Sequence, residues 1–179
     1  MQNKGFTLIE MTVAMAIFTL LVGVTTGVFI SSIKNQKQVL ATQEILDQTS
    51  YLMEYMSRSL RMAVKDDIES GGVTRDCLSL DRVNYEFVGQ CLKFRNYQNK
   101  CQQFCLDAAT HQMKDENGNY LTSENLQVSD FLVTLIGERQ PPSDSLQPKV
   151  TISLNIAGRE QTSVKIQTTI SQRNPDVRR

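Results

Sequence analysis

The chain has 179 residues, and its 19 lysines and arginines balance 19 aspartates and glutamates, so its formal net charge is zero. No basic block or tail provides the electrostatic footprint of a nucleic-acid binder, and no nucleic acid is expected among its partners. Beyond an apolar amino-terminal stretch roughly 150 residues remain, enough for one modest hydrophobic core.

Residues Phe6 to Ile30 form that stretch. It exceeds the roughly 20 apolar residues, rising about 1.5 Å each, that match the hydrocarbon thickness of a bilayer. Glu10 interrupts it. A carboxylate costs about 2.5–3.5 kcal/mol at the centre of a spanning helix on insertion scales, so an acid there needs a partner. The leader Met1-Gln2-Asn3-Lys4-Gly5 supplies one positive side chain, which favours keeping the leader cytoplasmic and exporting everything after Ile30. A cleaved secretory signal would end at Ala14-Met15-Ala16, but its core would be only Phe6 to Val13 and would contain Thr7 and Glu10. An uncleaved signal anchor is the other reading that the basic leader and apolar length allow.

The string Gly5-Phe6-Thr7-Leu8-Ile9-Glu10 closely resembles the cleavage and methylation segment of type IV prepilins and type II secretion pseudopilins. The resemblance implies that a membrane aspartyl prepilin peptidase cuts after Gly5 and N-methylates the new amino terminus, Phe6. It also implies that Glu10 meets a subunit amino terminus during assembly. The physical logic agrees. Gly5 lacks a side chain that would obstruct backbone approach at the cut. Cleavage creates a cationic amine at the membrane boundary, and Glu10 of a neighbouring helix is placed to neutralise it in a low dielectric. Many major pilins carry a proline near the position of Gly27. Here Gly23, Gly27 and the Thr25-Thr26 pair replace it as sites of bending or close packing.

From Ser31 to about Asp67 neither proline nor glycine occurs. Ile45, Leu46, Leu52, Met53, Met56, Leu60, Ala63 and Val64 recur near helical spacing, which predicts an amphipathic continuation of the spanning helix ended by Gly71-Gly72. Its Met and Tyr side chains read as core packing. The first part, Ser31 to Gln38, is mostly polar and is expected outside the core.

Beyond Gly72 the period changes to two. Cys91 to Tyr97, Cys101 to Leu106, Phe131 to Ile136, Val150 to Ile156 and Val164 to Ile170 read as strands. Asn117-Gly118 and Ala157-Gly158 mark turns, and Pro141-Pro142 with Pro148 marks a connecting loop. A long helix followed only by antiparallel strands is α+β, with the helix covering a sheet face; the resemblance implies the same type IV pilin-like architecture.

Cys77, Cys91, Cys101 and Cys105 all lie in the exported half, where an even count favours disulfides. A hairpin with loop Gln98-Asn99-Lys100 sets Phe94 opposite Phe104 and Leu92 opposite Leu106 on the buried side, and leaves Cys91, Cys101 and Cys105 on the other face. Cys101 and Cys105 are then about 13 Å apart along one strand, and Cys91 is farther still from Cys101. The diagonal pair Cys91 with Cys105 remains, which assigns Cys77 to Cys101. These thiols lack the paired C-x-x-C spacing of a zinc site. Asp115-Glu116-Asn117-Gly118-Asn119 lacks the downstream acid of a calcium loop and reads as an exposed turn, and His111 reads as a surface residue. No framed serine or phosphate loop recommends catalysis, so neither an enzyme nor a cofactor is expected.

The expected organisation is a leader at 1–5, a transmembrane assembly helix at 6–30, its amphipathic continuation at 31–70, a β-rich domain at 71–173 and a loose tail at 174–179. In layout the chain is most similar to the J-type minor pseudopilins of type II secretion and the related W-type minor pilins. That resemblance implies single-pass anchoring in the cell membrane, then a place in a pilus or pseudopilus that the subunit helps to initiate or cap. Its implied partners are the prepilin peptidase, other major and minor pilins or pseudopilins, and the membrane. An anchored binding or enzymatic domain that joins no filament is the alternative.

Overall fold

The computed structural model describes residues 5, 7–64, 77–79, 82–139 and 146–173. Gly71-Gly72, Pro141-Pro142 and the tail at 174–179 lie outside them. The chain forms two compact units, Met1–Leu40 and Ala41–Arg179, and the helix α1, Leu8–Arg61, runs through both.

In the first unit α1 is exposed throughout and contains an 18-residue window of mean hydropathy 2.3, long and apolar enough to cross a membrane. It stays helical through Gly23 and Gly27. Its threonines leave few hydroxyls unsatisfied. Thr12, Thr19, Thr25 and Thr26 each donate to a backbone carbonyl three or four residues earlier, at 2.7–3.1 Å. Such back-bonding removes most of the desolvation penalty of a hydroxyl in an apolar helix.

In the second unit the helix becomes one-sided. Ala41, Ile45, Thr49, Leu52, Met53, Met56 and Leu60 are buried at helical spacing. They pack on two antiparallel sheets rather than one. The first has the order β1 (Tyr85–Val88), β2 (Cys91–Arg95), β3 (Cys101–Leu106) and β4 (Met113–Lys114). The second is β5 (Gln127–Ile136), β6 (Lys149–Ala157) and β7 (Ser163–Ser171). A bridge between Val83 and Arg139, with Asn84 N–H donating to the Glu138 carbonyl at 2.7 Å, links the two sheets. Ile152, Leu154, Phe94, Phe104 and the helix side chains share one core.

The helix ends at Arg61, ahead of the expected stop at Gly71-Gly72. Tertiary hydrogen bonds explain the early stop. Val64 N–H donates to the Arg95 carbonyl at 3.0 Å, Gln172 Nε2 to Ala63 O at 2.9 Å, Arg173 N–H to Arg61 O at 2.8 Å and Tyr85 Oη–H to Leu60 O at 2.8 Å. Helix-terminal carbonyls therefore find partners in β1 and in the residues just beyond β7, and Ala63 is buried although it is no longer helical.

The β2–β3 hairpin also differs from expectation. Its strands stop at Arg95 and restart at Cys101, so Leu92 faces Phe104 and Phe94 faces Gln102. Cys91 lies directly opposite Cys105 instead of diagonally. Because Leu106 N–H donates to Gln90 O at 3.0 Å, the 91/105 pair occupies a non-hydrogen-bonded position, where opposed side chains come closest. The sequence reading had no counterpart for β1 or β4.

Candidate functional site

Thr7 and Glu10 open α1 with a reciprocal cap. Thr7 N–H and Thr7 Oγ1–H both donate to Glu10 Oε2 at 3.0 Å, and Glu10 N–H reaches Thr7 Oγ1 at 3.4 Å. This is a capping box: a threonine at the cap position and a glutamate three residues later satisfy otherwise unpaired donors of the first turn. The sequence carries the signal as Thr7-Leu8-Ile9-Glu10.

Glu10 therefore does not stand unsupported at the edge of the apolar segment. Both bonds it accepts fall on one carboxylate oxygen, and among the described residues Oε1 accepts none. Around it Ile9, Val13, Ala14 and Ile17 line a shallow apolar groove. Gly5 is exposed, with open space where a Cβ would stand. Phe6 lies outside the described residues. Among the described residues the segment thus presents a capped helix start whose second carboxylate oxygen accepts no bond, amid exposed apolar side chains. Such a carboxylate can receive a cation.

The remaining candidates are scattered over the second unit. Disulfides join Cys77 to Cys101 and Cys91 to Cys105. Asp115 directs its carboxylate into its own turn, accepting from Asn117 N–H at 2.9 Å, Asn119 N–H at 2.8 Å and Asn119 Nδ2 at 3.0 Å. Those bonds hold its pKa down against the opposing effect of burial, and Gly118 supplies the positive φ of 82° that the turn needs. His111 is exposed. No group of three or more His, Cys, Asp or Glu side chains with metal-holding geometry occurs among the described residues.

Residues 1–26 match the family model described as the prokaryotic N-terminal methylation motif. Comparison with curated proteins and with solved structures returns no match. With that motif, one long apolar helix among the described residues and the antiparallel sheets that follow, the chain has an α+β fold and is similar at its amino terminus to type IV pilin-like precursors. The motif speaks for a structural subunit rather than an enzyme, and the apolar helix is consistent with membrane anchoring.

Proposed function

We propose that the chain is a minor pilin or pseudopilin, cleaved after Gly5 and N-methylated on Phe6 by a prepilin peptidase. It then joins other pilins or pseudopilins and helps to initiate or cap a type IV pilus or type II secretion pseudopilus. The second unit stands outside the cytoplasm, since Lys4 holds the leader inside and the cysteines suit an oxidising compartment.

The observation that carries this reading is Glu10 itself. Its carboxylate lies on the exposed apolar part of α1, with one oxygen bonded by Thr7 and the other accepting no bond among the described residues. A carboxylate entering a bilayer or a helix bundle in that state requires a cation, and the amine released at Phe6 of a neighbouring subunit supplies one. Thr7 is then a positioning residue that fixes the rotamer of Glu10 before the neighbour arrives.

Coexpression with a prepilin peptidase tests the first step. The chain should shorten by its leader, and Gly5→Val should abolish the size shift. A parent chain that keeps its leader in the presence of an active peptidase refutes the proposal.

A further inference from the structure

The outer face of the first sheet carries a row of polar side chains beside both disulfides. Glu86, Lys93 and Gln103 occupy one register row there, on the same face as Cys91, Cys101 and Cys105. Residues 77–79 lie against this face. Ser79 N–H donates to Glu86 Oε2 at 2.8 Å, Ser79 Oγ bonds Glu86 Oε1, and Cys77 Sγ lies 3.4 Å from the Phe94 carbonyl oxygen. Cys77, Leu78 and Val83 form a small apolar cluster of their own, separate from the main core.

The two disulfides are chemically unequal. Cys91 and Cys105 lie opposite each other on adjoining strands, 14 residues apart, so hairpin formation alone brings them together. Cys77 belongs to no strand, is 24 residues from its partner, and lies two residues from Ser79, which is bonded to Glu86. Exposure differs too. Cys101 is exposed, Cys91 is half-buried, and Cys77 and Cys105 are only 6% and 5% exposed. Thiol–disulfide exchange proceeds by attack at a sulfur that the partner can reach.

We infer that Cys101 is the sulfur through which a thiol–disulfide oxidoreductase closes the Cys77–Cys101 bond, after Cys91–Cys105 has formed, and that Glu86 is the residue that positions Cys77 for closure. The Cys101 thiolate attacks one sulfur of the oxidoreductase disulfide; that disulfide breaks and one enzyme thiolate leaves. Cys77 then loses its proton to solvent and attacks Cys101 Sγ of the mixed disulfide. The Cys77–Cys101 bond forms as the second enzyme thiolate departs, and two electrons have passed from the chain to the enzyme's disulfide. Encounter with such an enzyme rests on the proposed export of this unit, whereas the order and the entry sulfur are properties of the chain itself.

The test takes the full chain in detergent, reduced and returned to folding conditions in graded mixtures of reduced and oxidised glutathione. Samples are quenched by alkylation and mapped as peptides. Cys91–Cys105 should close first and open last, and the glutathione adduct should appear on Cys101 rather than Cys77. Glu86→Gln should slow the second closure several-fold while leaving the first unchanged. If that variant fails to fold, Ser79→Ala, which deletes only the hydroxyl contact, is read in the same way. Closure of Cys77–Cys101 first, an adduct on Cys77, or equal slowing of both bonds overturns the inference. An unprocessed chain gives the same order, so failure of the subunit reading is distinguishable from failure here.

Discussion

Substitution of Glu10 separates two tasks that its carboxylate combines. Glu10→Ala removes the acceptor for both Thr7 donors and the negative charge together, whereas Glu10→Gln keeps an acceptor in the capping box and loses only the charge. Removing one member of a desolvated ion pair strands the other at roughly 3–5 kcal/mol. At about 1.4 kcal/mol per tenfold, that is at least a hundredfold in the assembly equilibrium. Loss of a helix cap adds about 0.5–2 kcal/mol, so Ala should fall below Gln by about twofold to thirtyfold at the same conversion. The assay is recovery of the chain with its filament partners, alongside cleavage at Gly5 as a control that both variants should pass. Recovery of both variants at the parent level refutes the reasoning and favours an anchored domain that joins no filament. Equal losses for Ala and Gln would remove the cap from the account.

Two further outcomes follow from the second unit. The β6–β7 turn, closed by Thr162 N–H to Arg159 O at 3.1 Å, holds Glu160 and Gln161 at φ 54° and 57°, where Asn-Gly is preferred. Glu160→Asn with Gln161→Gly should relieve about 1–2 kcal/mol of left-handed strain and raise the melting temperature by several degrees; an unchanged or lower value contradicts the assignment. Asp107 has its pKa lowered to about 2, first by the Lys114 ammonium hydrogen-bonded to it at 2.8 Å and next by Ala109 N–H. Its folded pKa lies below its ordinary value of 3.8, so its stabilising contribution is present above that value and is lost as pH falls towards 2. Carboxyl NMR should give a midpoint near that lower value, Asp107→Asn should flatten the acid limb of the stability curve, and a midpoint near an ordinary aspartate would contradict the pair.

The long apolar helix was legible because its length, composition and lack of proline favour an uninterrupted helix, and its capping box was written in four residues, Thr7 to Glu10. The end of α1 was not. Ala63 and Val64 fit helical spacing as well as Leu60 does, and only hydrogen bonds from residues far along the chain, at Arg95 and Gln172, draw them out of the helix. The hairpin register was ambiguous for a similar reason. Pairing Phe94 with Phe104 satisfies the alternation as well as pairing Leu92 with Phe104. What decides is Asn96, whose Oδ1 accepts from Gln98 N–H at 2.9 Å and Lys100 N–H at 3.0 Å, lengthening the loop by two residues. Strand β1 escaped notice because Glu86, a poor strand former, sits in the middle of its four residues and is buried against Ser79.

The central claim, a processed subunit within a filament, is tested most directly by intact mass measurement of this chain recovered from filaments sheared from cells that express the peptidase and the partner pilins. The chain is predicted to begin at N-methylated Phe6 and to be present alongside the other subunits. Recovery from filaments with Met1 to Gly5 still attached, or a processed chain confined to the membrane and absent from every filament preparation, would contradict it.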